Sequence, residues 1–124
     1  MPPNESDPAY LWDMRKAGEL VIEFVEGKSF EQFTQSRLLI SAVERQIQIT
    51  GEAARKVSQQ FKDQHPEIPW RAIMAQRHII THEYGNIDLA KIWRVAKEHV
   101  PALLVLITPL IPPIPDDPSD KGPA

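Results

Sequence analysis

Between Arg77 and Tyr84, eight consecutive residues hold a guanidinium, two imidazoles and a phenol, at Arg77, His78, His82 and Tyr84. These groups can process a phosphodiester without a metal. Histidine titrates near neutral pH and can act as general base or general acid. Arginine stays charged and grips phosphate oxygens with a planar fork, which suits it to the charge that builds on phosphorus. If the substrate is RNA, the 2′-hydroxyl is a nucleophile already in place, and the protein need supply only base, acid and fixed cation. DNA lacks that hydroxyl and would resist this chemistry.

Spacing sets a condition on such a site. At about 100° per residue, Arg77 and Tyr84 share one helix face two turns apart, while His78 and His82 are neighbours on an adjacent face. Arg77 and His82 stand about 140° apart, so one unbroken helix does not aim both at a single atom. They converge if the helix ends near His82, where Gly85 offers an exit, or if a second subunit brings its own copy across a two-fold axis. Other readings compete. Two histidines four apart can hold zinc, but His82-Glu83 fails to complete H-E-x-x-H because the fifth position is Asn86. No metal and no other cofactor is expected. With no cysteine, no G-x-S-x-G elbow and only scattered glycines, neither a nucleophilic triad nor a phosphate loop is present. On spacing alone the plainest account leads: Arg77 and His78 are solvated, and His82 caps the negative end of the helix dipole. His65, beside Pro66, and His99 read as structural.

A chain of 124 residues suits one domain, and 42% hydrophobic with 25% charged residues excludes global disorder. The opening MPPNESDPAY lacks the basic and apolar regions of a signal peptide. The longest apolar run, VPALLVLITPLI, is too short to span a membrane and is broken by Pro101 and Pro109. A soluble, cytoplasmic protein is expected. The net charge of −3 argues against a surface coated in cations, but the charge is uneven. Residues 71–97 hold five cations against two anions, a surplus of +3, whereas the remainder, nine cations against fifteen anions, carries −6.

The elements that must position the cluster are helical, since apolar residues recur at three and four and never alternate. Asp7 reads as an N-cap with Pro8 at the first helical position. A stripe of Tyr10, Met14, Ala17, Val21 and Phe24 follows, and Gly27 closes the helix. Ser29 and Gln32 form a capping box for a short helix. A long helix is expected from Ser36 to Phe61, with Leu39, Val43, Ile47, Thr50, Ala54, Val57 and Phe61 in the core. Gly51 within it costs roughly 1 kcal/mol relative to alanine, which suggests a close approach beside a buried Glu52. Pro66 and Pro69 interrupt the chain. Trp70 then starts a helix to Tyr84, with Ala72, Ile73, Ala75 and Ile80 supplying apolar contacts. Asp88 caps a last helix that reaches about Ile107 and kinks at Pro101. The expected architecture is an all-α, up-and-down bundle of four main helices and one short one over residues 8–108. A disordered N-terminus, 1–7, precedes it and a proline-rich tail, 109–124, follows.

The pieces and their order resemble the HepT-like ribonuclease toxins of the HEPN superfamily. Their signature R-x-x-x-x-H-x-Y reads here as Arg77-His78-Ile79-Ile80-Thr81-His82-Glu83-Tyr84. ITGEAARKVS (49–58) is similar to the family's I-G-E-A-A-K-x-x-S segment. HPEIPWRAI (65–73) is similar to its H-P-E-I-P-W-R-x-I block, and YGNIDLAKIW (84–93) to its Y-F-G-V-D-x-x-x-x-W segment. The resemblance implies a helical bundle that dimerises and joins two signature segments in one cleft, which would answer the facing problem. It implies a metal-independent endoribonuclease with Arg77 and His82 as cleavage residues and RNA as substrate. A nucleotidyltransferase antitoxin is the implied partner, in some systems transferring AMP to the signature tyrosine, here Tyr84. Added phosphate would place charge and bulk where the RNA phosphate binds.

Two features depart from the family pattern. His78 stands where asparagine commonly follows the signature arginine, and it either supplies another acid or base or alters the activity. PALLVLITPLI is more apolar than the usual charged ending, which reads as extra core or dimer contact, or as a docking face for the antitoxin. The alternative function is a non-catalytic module of the same fold that holds nucleotide or partner, with Arg77 as a phosphate clamp. A third is a purely structural helical dimer.

Overall fold

The computed structural model describes residues 6–81 and 88–113, with the side chains of residues 77–81 outside that description. The described residues form helices joined by short turns, without strands: α1 (Asp7–Val25), α2 (Phe30–Thr34), α3 (Arg37–Lys56), α4 (Gln59–Gln64), α5 (Trp70–Thr81), α6 (Leu89–Arg94) and α7 (Val100–Ile107). A π-helical turn, Val95–His99, joins α6 to α7, and a 3-10 turn, Thr108–Leu110, extends α7.

Two core clusters define how the helices run. Leu11 and Met14, early in α1, pack with Ala53 and Ala54 late in α3 and with Leu103 and Ile107 of α7. Val21 and Val25, late in α1, pack with Val43 and Ile47 of α3 and with Ile92, Val95 and Val100. Both α3 and the last helix therefore run antiparallel to α1. Trp70 and Ile73 join the cluster containing Ala53, Ala54 and Val57, so α5 starts beside the end of α3 and runs back along it. This is an all-α, up-and-down bundle, ordered α5, α3, α1 and last helix across its width. Its core is a stack of aliphatic side chains buried at helical spacing.

Several local signals act as expected. Gly27 adopts φ +72°, the left-handed conformation that ends a helix without a Cβ clash. The Ser29 hydroxyl accepts from the Gln32 N–H at 3.1 Å, and the Gln32 side chain accepts from the Ser29 N–H at 2.8 Å. The Asp88 carboxylate accepts from the Lys91 N–H at 3.0 Å.

Other expectations are corrected. Asp7 lies inside α1, behind Ser6, and its buried carboxylate serves α4 instead of its own helix. The expected Ser36–Phe61 helix breaks at Val57, whose extended backbone lets Ser58 cap α4 through the Phe61 N–H (3.2 Å). Glu52 is half-exposed and pairs with Arg55 at 3.7 Å. Ala72 and Ala75 are exposed, and α5 instead meets the core through Trp70, Ile73 and Met74. Pro101, which cannot donate an N–H to the preceding turn, is accommodated by the π-helical widening immediately before it. Within the apolar ending, Leu103 and Ile107 are core, and Leu106, Leu110 and Ile111 pack partly buried against it. No described helix is long and apolar enough to cross a membrane.

Candidate active site

The signature arginine is carried by α5, and the start of α5 is held from three sides. The Ile68 N–H donates to the His65 carbonyl at 3.2 Å and the Trp70 N–H to the Ile68 carbonyl at 2.8 Å. The Trp70 indole N–H donates to the same His65 carbonyl at 2.9 Å. The His65 ring lies against Phe61, centroids 4.5 Å apart, with Nδ1 3.0 Å from Glu67 Oε2. The Glu67 backbone N–H and then His65 hold the Glu67 carboxyl below its usual range. His65 is thus a structural group of the H-P-E-I-P-W block. Buried Lys62 completes the support, its Nζ donating to the Arg55 carbonyl at 3.3 Å and sitting 3.6 Å from Met74 Sδ. Burial pushes the Lys62 pKa down, with Asp7 opposing and Arg55 reinforcing the shift.

From this anchored start α5 is continuous to Thr81. The expected roles of the Arg77 and His78 side chains, and of His82 and Tyr84 altogether, lie outside the described residues. The described chain resumes at Asp88, where α6 begins. Because α5 and the last helix run in opposite directions, α5 ends and α6 begins at the same end of the bundle, near the close of α1 and the start of α3. Among the described residues, no three or more His, Asp or Glu side chains gather as a metal ligand set.

At that end the last helix and α2 form a feature that sequence reasoning passed over. A groove of about 360 Å³ is lined by Phe30, Ala90, Trp93, Arg94, Lys97 and Glu98. The Trp93 ring contacts buried Phe33 (5.2 Å between centroids) and Phe30 (6.0 Å), and Lys97 Nζ lies 5.4 Å from its centre. The signal was present as residues 90, 93, 94 and 97 at helical spacing, but the contribution of Phe30 depends on tertiary packing.

Comparison with known proteins bears on what this arrangement serves. Residues 14–110 match the family described as Ribonuclease HepT-like. The chain belongs to that family. A protein of Thermococcus cleftensis named a probable ribonuclease HepT is 38% identical over 94 residues, covering 76% of this chain and 86% of that protein. A candidate RNase of Methanocaldococcus jannaschii is 33% identical over 95 residues, covering 77% of this chain and 87% of its own length. A candidate RNase of Caldanaerobacter subterraneus is 33% identical over 94 residues, 76% of this chain and 84% of that protein. No solved structure matches. The HepT-like match contains α5, the signature segment and the whole last helix.

Proposed function

We propose that this HepT-like chain is a metal-independent endoribonuclease, cytoplasmic and active as a homodimer. It is the toxin of a pair whose antitoxin is a nucleotidyltransferase. The observation that carries the reading is the complete Arg77–His82–Tyr84 signature within the matched residues, the first of them carried by α5, which Trp70 anchors at its start. In the reaction, the RNA 2′-oxygen attacks phosphorus while its proton passes to a histidine base, and the bond from phosphorus to the 5′-oxygen breaks. The leaving oxygen takes a proton from the acid, leaving a 2′,3′-cyclic phosphate and a 5′-hydroxyl. His82 is the acid/base, one from each subunit, and Arg77 stabilises the charge on the phosphorane. Tyr84 positions phosphate or accepts AMP from the antitoxin, and His78 is a further participant in proton transfer.

Incubating the purified protein with RNA tests this. Cleavage is expected in EDTA, with a cyclic phosphate end, and is lost in His82→Ala. Activity indifferent to His82→Ala removes the proposed acid/base. Saturable binding of RNA or nucleotide with no cleavage at any protein concentration points to the non-catalytic module, a reading favoured by His78 replacing the usual asparagine.

A further inference from the structure

We propose that the groove between α2 and the last helix is a subsite for one nucleotide of single-stranded RNA. The inference rests on the ribonuclease reading for its substrate class but draws on separate residues. The groove combines an aromatic floor, Phe30 and Trp93, with two cations, Arg94 and Lys97, against one carboxylate, Glu98. Single strands are held by this pairing, in which bases stack on aromatic faces and cations follow the phosphates. Phe30 is 41% exposed, one of few large hydrophobics left to solvent among the described residues. Trp93 cannot swing away, because buried Phe33 backs it from inside.

The cations are available. Arg94 meets Glu98 at 3.8 Å with both side chains about two-thirds exposed, 69% and 67%, a loose pair that a phosphate can replace. Lys97 rests over Trp93 at 5.4 Å, a position from which its flexible stem can turn to a phosphate while the ring receives a base. The groove lies at the end of the bundle where α6 begins.

The test uses the full chain and a fluorescein-labelled, 12-nucleotide mixed-sequence RNA. Binding is measured across salt concentrations and cleavage across RNA concentrations. Neutralising both cations, Arg94→Gln with Lys97→Gln, is expected to weaken binding about tenfold or more and to lower the salt slope by about one to two. KM should rise while kcat holds. Phe30→Ala should weaken binding with the salt slope unchanged. Circular dichroism checks folding, and the exposed double variant carries the test if Phe30→Ala does not fold. Wild-type cleavage with binding and KM unmoved in the double variant overturns the subsite and leaves the nuclease reading intact. RNA binding that depends on these residues, without cleavage, supports the subsite and counts against the nuclease. A wild type that binds no RNA overturns both. Variants that bind RNA normally but lose self-association or association with a co-expressed partner protein overturn the subsite in favour of a protein contact.

Discussion

The carboxylate of Asp7 accepts the Ser58 backbone N–H at 2.8 Å and the Ser58 hydroxyl at 2.6 Å, joining residues 51 apart in the chain. Asp7 is 1% exposed, so both acceptors are spent on one residue at the break between α3 and α4. After that break α4 brings Phe61 against Trp70 and Lys62 against Met74, at the start of α5. Asp7→Ala leaves the Ser58 N–H and hydroxyl without their acceptor and should cost about 2–3 kcal/mol. Urea unfolding measures it. A cost within about 0.5 kcal/mol of zero would mean that the α3–α4 break holds without Asp7.

Gly18 faces a crowded stretch of the last helix. A Cβ there would lie 2.9 Å from Leu104 Cδ2, 3.3 Å from Leu104 Cγ and 3.3 Å from Val100 Cγ1. Alanine raises helix propensity by about 1 kcal/mol, but the contact with Leu104 opposes it. Gly18→Ala alone should therefore change stability by less than about 1 kcal/mol. With Leu104→Ala, where the obstructing methyls are gone, the same change should stabilise by about 1 kcal/mol. The cycle isolates the coupling. A Gly18→Ala effect identical in both backgrounds would remove the proposed close approach.

These two sites show what the sequence displays and what it hides. Helix starts at Ser29 and Asp88 and the stop at Gly27 are local chemistry, and each is legible because cap and capped group lie within a few residues. The break at Val57 is hidden because Val57 and Phe61 keep their places in the core stripe, so the period of three and four runs through it unbroken. The acceptor that meets Ser58 there, Asp7, is 51 residues away, and Asp7 itself reads as the cap of its own helix. Pro101 signals a disturbance, but that the helix absorbs it as a π-turn depends on Val95 and Val100 both staying buried. Glu52 sits among small residues in sequence yet remains half-exposed, beside Arg55. The cluster Arg77, His78, His82 and Tyr84 is legible as residue types and order, and Trp93 as part of a family block. The meeting of Phe30 with Trp93 needs α2 folded against α6, which no local pattern encodes.

Lys62 makes stability depend on pH in an uncommon direction. Burial lowers its folded pKa from the ordinary 10.5, so the fold disfavours the ammonium. Between the lowered folded value and 10.5 the unfolded chain binds more protons, and stability attributable to this group rises with pH across that window. Below the folded value both states are charged and the contribution is flat. Lys62→Met keeps most of the buried stem and removes the charge. It should cost less than about 1 kcal/mol at neutral pH and should abolish this upward slope. Parallel urea titrations from pH 7 to about pH 10 decide it. Equal slopes in the two proteins would show that Lys62 retains its charge at no cost to the fold.

The proposed chemistry asks Arg77 for a planar fork as well as a charge. Charge on the phosphoryl oxygens grows toward the transition state, and two parallel N–H donors follow it better than one ammonium. Arg77→Ala should lower kcat by about 10²–10³-fold. Arg77→Lys should recover only part of that, because the charge remains while the bidentate grip is lost. KM should move less than kcat in both variants, since the interaction strengthens only as the reaction proceeds. Arg77 belongs to α5, so each variant needs a melting curve beside its rate. A folded Arg77→Ala protein that cuts RNA at the wild-type rate would place the stabilising cation elsewhere. A folded Arg77→Lys protein at full rate would show that charge alone suffices.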